Sequence, residues 1–211
     1  MVSVVIPALN EEETVSEIVS LLASIQLVDE IIVVCDGCTD NTAQFAKTSG
    51  ARVIELSQNI GKGGAMMVGV RAASNDVILF LDADLLGLTE ECVINLVTPV
   101  LRGNADMTVG IFEKGRMATD LAQTVAPFLS GQRAVKRSLL EGMSDLDASR
   151  FGVEIALTRF AVEKDMAVEE VVLKDMSHRM KEEKLGLVKG VAARMRMYWE
   201  IAQYMTKPPK E

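Results

Sequence analysis

The chain has 211 residues, 49% hydrophobic and 25% charged, the balance of a globular protein with room for a buried core. Its formal net charge of −8 excludes a general nucleic-acid binder, because such proteins carry a basic stripe that neutralises phosphates. A small anionic ligand stays compatible, since it needs no more than a local cluster of donors and cations.

In chain order, residues 2–7 form a continuous apolar run, the pattern of a strand covered on both faces. No basic region precedes the run and no small-residue cleavage site follows, so it reads as a strand and not as a signal peptide. Asn10 followed by Glu11-Glu12-Glu13 predicts a helix start, with an N-cap side chain and carboxylates at the positive end of the dipole. Val15, Ile18, Val19, Leu22 and Ile25 then recur at helical spacing. Residues 30–34 predict a second strand, Asp40-Asn41-Thr42 opens a helix to Thr48, and 51–56 predict a third strand. A helix over 61–74, a strand over 76–81, a helix over 89–101 and a strand over 105–111 follow. Beyond these, 113–129 is of mixed character and predicts a mobile loop, while 130–140 and 151–164 predict helices and 167–173 a strand. Over 181–205 Leu185, Val188, Ala192, Met195, Trp199, Ala202 and Met205 form a helical stripe, which predicts a homodimer interface or packing on the core. No stretch approaches the roughly 18 apolar residues of a membrane helix, so no integral membrane segment is expected.

Strand–helix alternation with short links dictates parallel strands joined by right-handed crossovers, with helices on both faces of the sheet. Ligands of such sheets sit beyond the carboxyl ends of the strands. Three segments fall there: Pro7-Ala8-Leu9-Asn10-Glu11, Asp36-Gly37 and Asp82-Ala83-Asp84. They are expected to share one cleft.

Asp82 and Asp84 directly follow an apolar strand, and carboxylates two residues apart in extended backbone lean to the same side. That arrangement suits a hard cation such as Mg2+ or Mn2+ shared with phosphate. Gly61-Lys62-Gly63-Gly64 invites a phosphate-loop reading, but Leu56 stands where a Walker A loop needs glycine and Gly63 where it needs Ser or Thr. What survives is a nucleotide-contacting turn with Lys62, or a helix start whose small residues pack closely on the sheet. Cys35 and Cys38 resemble a redox pair, but no second pair completes a zinc site, and a buried strand end and a turn residue are the preferred reading. Three cysteines without a secretion signal read as reduced thiols of a cytoplasmic protein. His178 is the single histidine. In Ser130-Gly131-Gln132-Arg133 a glycine and an arginine stand at an expected helix start, where an anionic acceptor group fits or an ordinary cap suffices. Local pattern leaves Glu154 either a solvated helix carboxylate or a residue of the cleft.

Together, Val4-Val5-Ile6-Pro7-Ala8-Leu9-Asn10-Glu11-Glu12, Asp36-Gly37-Cys38-Thr39-Asp40, Gly61-Lys62-Gly63 and Asp82-Ala83-Asp84-Leu85 resemble the donor half of family 2 glycosyltransferases, the GT-A type. Ser130-Gly131-Gln132-Arg133, Phe151-Gly152-Val153-Glu154-Ile155-Ala156-Leu157 and His178 more narrowly resemble the glucosyl-3-phosphoglycerate synthase group. The resemblance implies an α/β GT-A fold with a mostly parallel central sheet and helices on both faces, in one domain over 1–211. Residues 1–110 would bind the nucleotide sugar and 111–211 the acceptor. It implies that Pro7, Ala8, Leu9 and Glu11 contact the nucleoside, with Asp36 and Lys62 nearby, and that Asp82 binds the ribose or donor sugar. Asp84 and His178 would ligate Mg2+ or Mn2+, Glu154 would face the transferred sugar or acceptor, and Gly131 and Arg133 would lie by the acceptor. Cys35 stands where the group commonly has Asp, the group's Gly-Arg-x-Thr acceptor signature is not evident, and Gly131-Gln132-Arg133 is a partial stand-in for it.

The expected activity is therefore transfer of a sugar from a nucleotide-sugar donor, UDP-glucose foremost, to a small phosphorylated acceptor such as 3-phosphoglycerate. A polyprenyl phosphate at a membrane face is the rival acceptor. A nucleotide-sugar-binding protein without turnover, and a redox protein built on Cys35 and Cys38, are the rival classes.

Overall fold

The computed structural model describes residues 1–112, 130–141 and 153–178. Within them a seven-stranded sheet forms from β1 (Val2–Ala8), β2 (Val28–Asp36), β3 (Arg52–Leu56), β4 (Val77–Phe80), β6 (Met107–Phe112), β7 (Arg133–Lys136) and β8 (Val168–Leu173). Their order across the sheet is β3-β2-β1-β4-β7-β6-β8. Neighbouring strands run parallel except at β7, which is antiparallel to both β4 and β6. Two further short strands, β5 (Leu85–Leu86) and β9 (Ser177–His178), pair antiparallel as a separate ribbon.

Alternation of side chains along β1 sorts the core into two layers. Val2, Val4 and Ile6 pack with Val15, Ile18, Val19 and Leu22 of α1 (Val15–Ser24) and with Val93, Leu96 and Val97 of α4 (Glu90–Leu101). Val5 faces the other way, against Ala65, Met66 and Val70 of α3 (Lys62–Ala72), and the same layer takes in Val153, Leu157 and Ala161 of α6 (Val153–Glu163). Burial on both faces is why β1 and β4 read as unbroken apolar runs, each such side chain contributing roughly 1.5–3 kcal/mol of transfer free energy. The remaining helices are α2 (Thr42–Thr48) and the short α5 (Arg137–Leu140).

Two sequence expectations are corrected. Helix α1 begins at Val15 and not at Asn10: Asn10 adopts a left-handed backbone with φ of 56°, which breaks the helix before it can start. Its side-chain oxygen accepts from the amide of Thr39, so the residue that looked like a cap ties two loops together. Residues 130–140 are not one helix, because 133–136 form β7, wedged between β4 and β6, and the helix is confined to 137–140. The loop expected over 113–129, the start of the helix expected at Phe151 and the 181–205 stripe with its dimer role lie outside the described residues. Among those described, no helix is long and apolar enough to cross a membrane.

The close approach of α3 to β1 rests on Gly69, where a Cβ would collide with the Val5 side chain. Replacing Gly69 by Val is expected to cost about 1–3 kcal/mol through overpacking, read as a lower urea midpoint at unchanged m-value.

Candidate active site

From β1 the chain steps outward through β2 to β3, then crosses to β4 on the opposite side of β1. The crevice beyond the carboxyl ends of β1 and β4 is thus the switch point of the sheet, where ligands of open α/β folds bind. The expected segments converge there. Leu9 is exposed and Pro7 and Glu11 half-buried at the tip of β1, while Ala8 is buried. That tip is stitched to the loop after β2: the amides of Glu11 and Glu12 donate to Thr42 Oγ1 and Asp40 Oδ2, and the Asn41 amide donates to Glu12 Oε2. Burial would raise the Asp40 carboxyl, but hydrogen bonds from the Thr42 hydroxyl and amide and from Glu12 hold it below the usual carboxylate range.

Asp36 is buried, with one oxygen accepting from the amide of Ile60 at 2.7 Å and the other from that of Gly61 at 2.9 Å. It therefore fixes the entry to α3. The Ile60 and Gly61 amides are thereby engaged, Gly64 is buried, and Lys62 stands as the first residue of the helix.

Lys62 Nζ lies 2.6 Å from Asp82 Oδ1 and 2.5 Å from Glu154 Oε1. The second Asp82 oxygen accepts from Gln132 Nε2 at 3.0 Å. Burial alone would lower the Lys62 pKa, yet the Asp82 and Glu154 carboxylates outweigh it and hold the ammonium above its ordinary value. Gly131 closes the floor of this cluster: a Cβ there would stand 2.7 Å from both Asp82 oxygens and 2.8 Å from Lys62 Nζ.

Asp84 is half-buried on the turn that follows β4. The turn is anchored from beneath by the buried Thr14 hydroxyl, which donates to the Ala83 carbonyl at 2.6 Å. Backbone pairing of β5 with β9 sets His178 opposite Leu85, the residue after Asp84. Two residues expected far apart in sequence thus share one end of the sheet.

Arg133 differs from its expected place. It belongs to β7, is fully buried, and donates from Nε to the Ser130 carbonyl and from Nη2 to Thr158 Oγ1, both at 2.9 Å. Burial pushes its pKa down to about 10, partly offset by the nearby Glu154 charge, so the guanidinium stays protonated at neutral pH. Cys35, Cys38 and Cys92 are free thiols. Burial, with Cys38 alongside, pushes the Cys35 thiol up, which makes it a poor nucleophile. Gln132 and Thr14 escaped the sequence reading, because nothing in their local pattern separates them from ordinary turn and helix residues.

This sheet, with its switch-point cleft and acidic strand tip, has the architecture of the GT-A type. The chain belongs to glycosyl transferase family 2, whose family model matches residues 3–164. Glucosyl-3-phosphoglycerate synthase from Mycobacterium tuberculosis is 33% identical over 193 residues, covering 74% of this chain and 59% of that protein. The chain thus spans about three-fifths of the length of that curated relative. A 4,4'-diaponeurosporenoate glycosyltransferase from Staphylococcus aureus is 33% identical over 100 residues, 45% of this chain and 27% of that protein. Among solved structures, the Mycobacterium tuberculosis synthase in complex with Mn2+, uridine diphosphate and phosphoglyceric acid superposes with a TM-score of 0.78 at 31% identity, covering 100% of this chain and 80% of that one. The same synthase with Mg2+ and uridine diphosphate gives a TM-score of 0.77 at 30% identity, covering 100% and 81%.

Because the folded Lys62 pKa is raised, its ion pairs contribute stability that is fully present below the ordinary lysine value of 10.5 and lost as pH climbs through the higher folded value. The stability gap between the wild type and Lys62→Met is therefore expected to be constant from pH 8 to 10 and to shrink above 10.5, as followed by urea denaturation across that range.

Proposed function

We propose that the chain is a metal-dependent hexosyltransferase that moves a sugar from a nucleotide-sugar donor, UDP-glucose foremost, to a small phosphorylated acceptor such as 3-phosphoglycerate. The observation that carries this reading is the Lys62 ammonium held between Asp82 and Glu154 at the switch point. It joins a cation suited to a diphosphate with two carboxylates suited to sugar hydroxyls. The named relatives supply the donor and acceptor classes.

The donor set fits a divalent cation. Asp84 offers a half-buried hard oxygen ligand, and the backbone pairing of His178 opposite Leu85 supports the reading that its imidazole, a ligand Mn2+ accepts, would be the second. Among the described residues no three His, Cys, Asp or Glu side chains gather. The rest of a cation's shell would come from diphosphate or water, as is common for Mg2+ and Mn2+. Asp84 and His178 would hold that cation, whose charge, when bound, stabilises the negative charge on the departing diphosphate.

Each side chain then has a task. Pro7, Ala8, Leu9 and Glu11, with Asp36 behind them, frame the nucleoside. Lys62 faces the diphosphate. Asp82, oriented by Gln132, accepts hydrogen bonds from the ribose or donor sugar. Glu154 faces the transferred sugar and accepts a hydrogen bond from the acceptor hydroxyl, beside Gly131. The same reading takes Asp82-Ala83-Asp84 as a DXD motif and 1–211 as one domain with donor and acceptor halves meeting near residue 110. It expects a homodimer through the 181–205 stripe and a cytoplasmic setting, which the three free thiols support.

A panel of nucleotide sugars with and without Mn2+ or Mg2+ tests the donor. At about 100 times its dissociation constant, a true donor adds roughly 2.7 kcal/mol of stability, seen as a raised melting temperature. Asp84→Ala should remove the metal-dependent part, and an undiminished metal effect in that variant speaks against the assigned site. UDP release that requires 3-phosphoglycerate identifies the acceptor.

Gly131→Ala separates stability from function. The atoms that a new Cβ meets are the ends of flexible side chains, so the fold should lose less than about 1 kcal/mol. The displaced Lys62–Asp82 pair should lower turnover about 100-fold, measured as initial rates of UDP release.

A further inference from the structure

A guanidinium with no exposed surface is an unusual core residue, because burial of charge is costly unless its donors are satisfied and its field is used. Arg133 is such a residue, and its two arms reach the two flanks of the Lys62 cluster. Nε donates to the carbonyl of Ser130, the residue before Gly131, whose α-carbon packs on the Lys62–Asp82 pair. Nη2 donates to Thr158 Oγ1, and that hydroxyl donates in turn to the backbone carbonyl of Glu154 at 2.9 Å, one turn earlier in α6. From Arg133 to Glu154 the connection is two hydrogen bonds long, and it ends on the residue whose carboxylate meets Lys62.

We infer that Arg133 is a positioning residue for Glu154. Through the Thr158 hydroxyl it fixes the first turn of α6, and through the Ser130 carbonyl it fixes the segment under Asp82, so that both carboxylates arrive at one ammonium. This replaces the expectation that Arg133 touches the acceptor. A fork of fixed donors suits the task, since one planar group must reach a loop and a helix at once, which the single ammonium of lysine cannot do with the same geometry. The inference rests on the reading of Glu154 as a residue that faces the reacting groups.

The test uses the full chain with Arg133→Met, Arg133→Lys and Thr158→Val, the last serving if the arginine variants fail to fold. With UDP-glucose, 3-phosphoglycerate and Mn2+, Arg133→Met and Thr158→Val are expected to lower kcat by about 10- to 100-fold while both KM values stay within about threefold, with partial rescue by Arg133→Lys. In a Glu154→Gln background the same changes should cost no more than about twofold further, because the residue they position is already lost. A rise confined to the acceptor KM, or a full additional loss in the Glu154→Gln background, overturns the inference. Glutamate labelled at 13Cδ reads the same point without turnover: the Glu154 resonance, assigned by its disappearance in Glu154→Gln, should shift in Arg133→Met and Thr158→Val. An unmoved resonance overturns the inference, whereas a wild type that never releases UDP overturns the proposed function and leaves the resonance to decide on Arg133.

Discussion

Asp82 and Glu154 come from opposite halves of the described chain and would repel one another if they shared a cleft unaided. The Lys62 ammonium, within 2.6 Å of the one and 2.5 Å of the other, is what lets them share it. Its side chain keeps 36% of its surface exposed, so water screens part of the attraction. The pairing sets the geometry of the three side chains without the strength of a fully buried ion pair.

The position of Lys62 is set from behind, by Asp36. Spending a buried carboxylate on the Ile60 and Gly61 amides fixes the first residue of α3 at the rim of the cleft. It also means that the positive end of the helix is partly neutralised by the protein itself. The net charge of −8 acts as a diffuse field screened over about 8–10 Å, and Lys62 is the local cation set within it, flanked by Asp82 and Glu154.

Legibility in the sequence followed the range of the interactions. β1, β2 and the helices up to Leu101 were readable because each is long enough to show its pattern, and the four-residue β4 because every one of its side chains is apolar and buried. The three strand tips were readable as one cleft because parallel topology dictates it. Asn10 misled because an asparagine ahead of three glutamates has the composition of a cap, and its left-handed backbone is a matter of tertiary contact with Thr39. β7 misled because four residues cannot display an alternation, and because its most buried member is an arginine. Glu154 was undecidable locally, since its partner lies 92 residues away. Family resemblance, not pattern, singled out Glu154 and His178.

The register of β7 decides where its arginine ends up. Consecutive residues entering a strand project to opposite sides, so Gln132 reaches Asp82 while Arg133 turns inward to Thr158. The polar side chain ahead of the strand thus serves the acidic cluster of the cleft, and the charged one serves the scaffold beneath it. Composition alone would assign the two roles the other way round, because of the two the charged side chain is the less expected in a core.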